Sequence, residues 1–187
     1  MLKYFEEFGE YAEITGFSNV EIEDAEGFLK ATRREQQGTA VQFFNAEFVA
    51  TWQHLYFAVL NALTAFRNKS NISKNIAVEV MLYASAQRQI RKAIALVGVK
   101  RGSADVAVVI IGDNAHAVKT ALAAVSKRIG AEPDETVLVL STDKVQSIRK
   151  AFDISEREVE TVMKAGDAEQ ALVNLVIERG ALLSTQL

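Results

Sequence analysis

The chain has 187 residues, 49% hydrophobic and 24% charged, with a net charge of −3 and no cysteine. These figures fit one domain with a substantial core and argue against disorder, and the absence of cysteine excludes disulfides, thiolate nucleophiles and cysteine-ligated zinc. The acidic opening from Met1 to Glu7 lacks the basic-then-apolar order of a secretion signal, and no apolar run reaches the roughly 18 residues of a membrane span, so a cytoplasmic protein without membrane contact is expected.

The first strand is expected over Tyr11–Phe17, where apolar and polar residues alternate. Acidic residues from Glu21 favour a helix to about Gln37, because carboxylates stabilise a helix N-terminus, and Gly38 ends it. Ala40–Asn45 reads as a second strand. From about Ala50 to Arg67, Trp52, Leu55, Tyr56, Val59, Leu60, Leu63 and Phe66 recur on one face of a helix. A second face, with His54, Ala58, Asn61, Ala62 and Ala65, is small enough for another backbone to approach.

Residues 73–84 suit either a helix or a strand; helix is preferred, with Ser73 as N-cap. The next helix, about Ala86 to Val97, groups Ile90, Ala93, Ile94 and Val97 opposite Arg88 and Lys92, and Gly98 stops it. Asp105–Ile111 is a continuous apolar run that fits a central strand covered on both faces. A helix from about Asn114 to Ile129, a short apolar run Val137–Leu140, and helices over about Asp143–Phe152, Glu156–Lys164 and Ala168–Leu183 complete the chain.

Charge is unevenly distributed. Residues 67–101 hold Arg67, Lys69, Lys74, Arg88, Arg91, Lys92, Lys100 and Arg101 against the single acid Glu79, a net +7 in an acidic chain. Such a patch either steers a phosphate backbone to one place or is a solvated basic face. Arginine forks match phosphate and stack on bases, and the flanking Gln87 and Gln89 add amides that can bond to bases or riboses.

Catalytic constellations are missing. Gly98–Ser103 lacks the spacing of a phosphate loop and precedes a strand instead of following one. The two histidines, His54 and His116, have no carboxylate at metal-ligand spacing, and His54 suits a structural role or a site equally. No nucleophile stands beside a base, so a non-catalytic protein is expected, with no cofactor. The last helix carries the stripe Leu172, Leu175, Val176, Arg179 and Leu183, which either packs into its own fold or meets a partner.

Several stretches taken together resemble a known family: His54–Ala62, Ile76–Ile90 with its Ser85-x-Gln87-Arg88-Gln89-Ile90 segment, then Ala93-Ile94 and Gly98. In order and spacing they are similar to the archaeal branch of the kinase-binding small subunit of the KEOPS complex, the PRPK-binding protein family. The resemblance implies an α+β fold, a small mixed β-sheet surrounded by about seven helices. It also implies a non-enzymatic subunit that docks on the complex's atypical kinase/ATPase and reaches the other KEOPS subunits indirectly. The complex places a threonylcarbamoyl group on a tRNA adenosine, and this subunit helps recruit tRNA through its 3′ CCA end. By position, Arg88 with Gln87, Gln89, Arg91, Lys92, Lys69 and His54 falls on the tRNA side, and Leu172, Leu175, Val176 and Arg179 on the kinase side. Tyr83 stands where some relatives are expected to have a basic residue. The competing expectations are a small-molecule binder or enzyme using the space beside His54 and Gly98–Ser103, and a structural scaffold.

Overall fold

A computed structural model describes residues 1–24, 27 and 38–185. The helix expected from Glu21 to about Gln37 falls for the most part outside these residues.

Four strands form one sheet: β1 (Leu2–Phe5), β2 (Glu10–Phe17), β3 (Thr39–Asn45) and β4 (Val106–Gly112), in the order β1-β2-β4-β3. The α+β class holds, but every pairing is antiparallel, so the sheet is not the mixed one expected. All seven residues of β4 are buried, as its unbroken apolar run requires. Its period of two sends Ala107, Val109 and Ile111 to one core and Val106, Val108 and Ile110 to another. β1 escaped the sequence reading because it is four residues long and pairs only with β2.

Among the described residues there are seven α-helices: α1 (Trp52–Arg67), α2 (Ile76–Ser85), α3 (Ile90–Val97), α4 (Ala115–Ile129), α5 (Thr142–Ala151), α6 (Glu156–Val162) and α7 (Ala168–Ala181). None is long and apolar enough to cross a membrane. The larger core joins one sheet face to α1, α2 and α7 through Leu55, Val59, Val80, Leu82, Leu172 and Val176. On the other face α4 contributes Val118, Ala121 and Val125.

Residues 73–84 resolve as helix. The N-cap of α2 is Asn75, whose Oδ1 accepts from the Ala77 and Val78 N–H groups, rather than Ser73. The first half of the run Val137–Leu140 is the end of a 3-10 turn over Glu135–Leu138, and the second half leaves it. The turn is held in a notch at Gly16, where a Cβ would lie 2.6 Å from that of Val137.

Candidate functional site

Helix α2 is the axle of the candidate site: from Glu79 to Ser85 every residue is buried, and both ends emerge among cations. At its N-terminal end Glu79, fully buried, accepts hydrogen bonds from the Ile72 and Ser73 N–H groups at 3.1 and 2.7 Å. The single acid of the basic stretch thus fastens the loop after α1 to α2. Arg67 and Lys69 end α1 at this side, and Lys74 precedes α2. Arg67 pairs with Glu7 at 3.1 Å and lies over the Phe8 ring.

At the other end Ala86 takes a left-handed conformation, φ 51°, and closes α2. That turn corrects the sequence reading: α3 starts at Ile90, so Gln87, Arg88 and Gln89 sit on the connection and not on a helix face. The Arg88 Nη1 donates to the carbonyl of Leu183, just past α7, at 3.2 Å. The basic stretch therefore does not converge. Arg88, Arg91, Lys92, Gln87 and Gln89 gather at one end of α2, whereas Lys69 lies at the other, about 15 Å away along ten helical residues. Tyr83 is buried under α7, so it draws no part of the surface; burial first, then the Glu79 carboxylate, raises its pKa, against the effect of Arg88.

Helix α3 departs from expectation in its phase. Ala93 and Val97 are buried, but Ile90 and Ile94 are 43% and 50% exposed. At about 100° per residue the two isoleucines rim the buried pair, and Arg91 follows Ile94 by about 60° round the helix. The result is an exposed apolar strip with Arg91 beside it and the Arg88 turn at its head. It suits a flat ring carrying negative charge: the ring covers the isoleucines and the guanidiniums meet the anion. Sequence reading missed the strip because isoleucine in a helical stripe reads as core.

His54 is not on this surface. It is 3% exposed, its Nδ1 accepts from the Ala50 N–H at 3.3 Å, and its Nε2 donates to the Ala84 carbonyl at 2.8 Å. The ring packs edge-on against Phe152. Burial lowers its pKa to about 4, only partly opposed by the Ala84 hydrogen bond. Of the two roles open to this histidine, the geometry carries the structural one: a neutral ring joining α1 to the end of α2.

The expected docking stripe is also corrected. Leu172, Leu175 and Val176 are buried in the chain's own core, and Arg179 pairs with Glu158 across α6 and α7. The α6 start is a capping box in which Glu158 accepts from Ser155. That backbone hydrogen bond first, then Arg179, lowers the Glu158 pKa to about 2. What the C-terminal region leaves outside is Val162, Met163 and Leu182. Among the described residues no group of histidines and carboxylates could hold a metal ion, and His116 is exposed.

Comparison with known proteins adds a second line. A curated relative, "Regulatory protein Cgi121" of Methanocaldococcus jannaschii, is 34% identical over 117 residues, which cover 63% of this chain and 72% of that protein. The family described as "Kinase binding protein CGI-121" matches residues 17–183, from the last residue of β2 to the carbonyl that Arg88 holds. The chain belongs to the CGI-121 kinase-binding protein family.

Proposed function

We propose that this chain is a non-catalytic regulatory subunit of a cytoplasmic KEOPS complex. It docks on the complex's kinase/ATPase subunit and binds tRNA by its 3′ CCA end in support of threonylcarbamoyladenosine formation. The family description and the relative's name support the kinase and regulatory parts of the reading.

The observation that carries the RNA part is the α3 surface, with Ile90 and Ile94 exposed beside Arg91 and the Gln87-Arg88-Gln89 turn. Unpaired RNA ends are recognised by stacking their splayed bases on side chains and arginine planes. Arg91→Glu/Lys92→Glu should weaken tRNA binding at least tenfold in a filter-binding assay, and tRNA lacking its CCA end should bind both proteins alike. Unchanged affinity in the double variant would remove this assignment.

With the α7 stripe in the core, kinase docking falls to the exposed apolar residues beside it, Val162 and Met163 at the end of α6 and Leu182 past α7. Val162→Asp/Met163→Asp should abolish co-purification with the kinase, with or without nuclease, and leave the thermal midpoint within a few degrees of the parent. Retained co-purification would place docking elsewhere.

A further inference from the structure

Lys100 and Arg101, the last cations of the basic stretch, take no part in the α3 surface. They stand between α3 and β4 and line a cleft of 640 Å³ that also involves the Asn45–Phe48 turn and the start of α5. α3 packs against Ala46–Phe48, so the cleft opens beside the helix. The volume lies within the range of about 300–1,000 Å³ common for small-molecule sites. The 100–103 turn is closed on itself: the Lys100 N–H donates to the Ser103 hydroxyl at 3.0 Å, and Ser103 is buried.

The walls carry three kinds of chemistry. Lys100 and Arg101 supply exposed positive charge at one side. Glu47, Asp105 and, at the start of α5, Asp143 supply carboxylates; Glu47 accepts from the Ser147 hydroxyl at 2.8 Å, and Asp105 from the Asn19 N–H at 3.1 Å. Phe48, half-buried, supplies an apolar wall. A purely anionic ligand is repelled by the carboxylates and a cationic one by the lysine and arginine. A ligand that joins an anionic end to hydroxyl donors and a flat ring satisfies all three. Lys144, also in the cleft, donates to the Val137 carbonyl; burial lowers its pKa, partly offset by Asp105.

We propose that this cleft binds a ribonucleoside phosphate, with the phosphate on Lys100 and Arg101, the ribose hydroxyls on Glu47 and Asp105, and the base against Phe48. Carboxylates accepting from ribose hydroxyls and basic side chains meeting phosphate are the ordinary pairings for these groups. The unit can come from a free nucleotide or from an RNA strand. α3 is about 12 Å long, so a strand lying along it reaches the cleft, and that source alone rests on the RNA reading above.

The test titrates the full chain with ADP and, separately, with a single-stranded hexaribonucleotide and its deoxy counterpart. Lys100→Glu/Arg101→Glu should weaken one ligand at least tenfold: ADP if the source is a free nucleotide, the oligomer if it is a strand. The charge-matched control Lys119→Glu/Lys127→Glu on α4 should change either by less than threefold. Glu47→Gln should weaken the ribose ligand several-fold and spare the deoxy form. If neither ADP nor the oligomer responds to the cleft pair beyond the control, the cleft site is overturned. Loss of oligomer binding in Arg91→Glu/Lys92→Glu alone, with ADP binding unmoved by the cleft pair, would overturn the cleft and leave the α3 reading intact; loss of oligomer binding in the cleft pair alone would do the reverse. Where charge reversal lowers the thermal midpoint, Lys100→Gln/Arg101→Gln replaces it.

Discussion

At the scale of single residues, His54 makes stability depend on acid. The unfolded imidazole titrates near 6.5 and the folded one near 4, so the fold favours the neutral ring. Stability from this site is therefore complete above the unfolded value, declines as the pH falls towards 4, and declines no further below it. The shift corresponds to about 3 kcal/mol. Urea unfolding at pH 7, 5.5 and 4.5 should show a steep loss in the parent and a shallower one in His54→Gln; equal slopes would refute the role. Glu158 has the same sign at lower pH, although the fold here favours the charged form: its depressed pKa stabilises the fold above its ordinary range, and that contribution is lost as the pH falls through about 2. In an NMR titration Arg179→Ala should raise this pKa but leave it below the usual carboxylate value, because the Ser155 N–H still donates to the carboxylate.

At the scale of elements, α7 is a core helix with one surface obligation, the Arg179 pair. Leu175→Ala should cost about 2–5 kcal/mol in urea denaturation, as for other buried leucines. Leu175→Glu should fail to fold rather than yield a folded, docking-deficient protein. Gly180 marks where α7 presses on α2: a Cβ there would lie 2.7 Å from the Tyr83 carbonyl oxygen. Gly180→Ala should therefore be destabilising, where an exposed helical position would gain from the change. How far each element could be read from sequence follows from its surroundings. α1 is legible because its large apolar residues recur at helical spacing beside a second buried face of small ones, and β4 because a central strand is apolar throughout. α2 is ambiguous because it is buried on nearly all sides and so shows no period. α3 starts four residues later than its pattern suggests because alanine is a good helix former, and nothing local announces that Ala86 turns left-handed. The exposure of Ile90 and Ile94 is hidden for a related reason: hydropathy gives the stripe but not which rim of it the neighbours leave uncovered.

At the scale of the molecule, a chain of net charge −3 presents basic residues at both ends of α2 and in the cleft beside α3. RNA affinity should accordingly fall with salt, and the slope of log K against log salt should become shallower in Arg91→Glu/Lys92→Glu by about 0.7 for each phosphate that the variant no longer neutralises. A slope unchanged by the substitutions would show that these cations meet no phosphate. The sheet order has a consequence of another kind, in time rather than in space. β4 is the partner of both β2 and β3, yet Phe17 pairs with Val106 and Asn45 with the same residue, so neither ladder can close until more than half the chain exists. On the ribosome β1 and β2 can form no more than a hairpin while α1, α2 and α3 are made. Pairings this distant in sequence are slow to form. The helical layer carrying the basic surface is thus synthesised before the strand that completes the sheet beneath it.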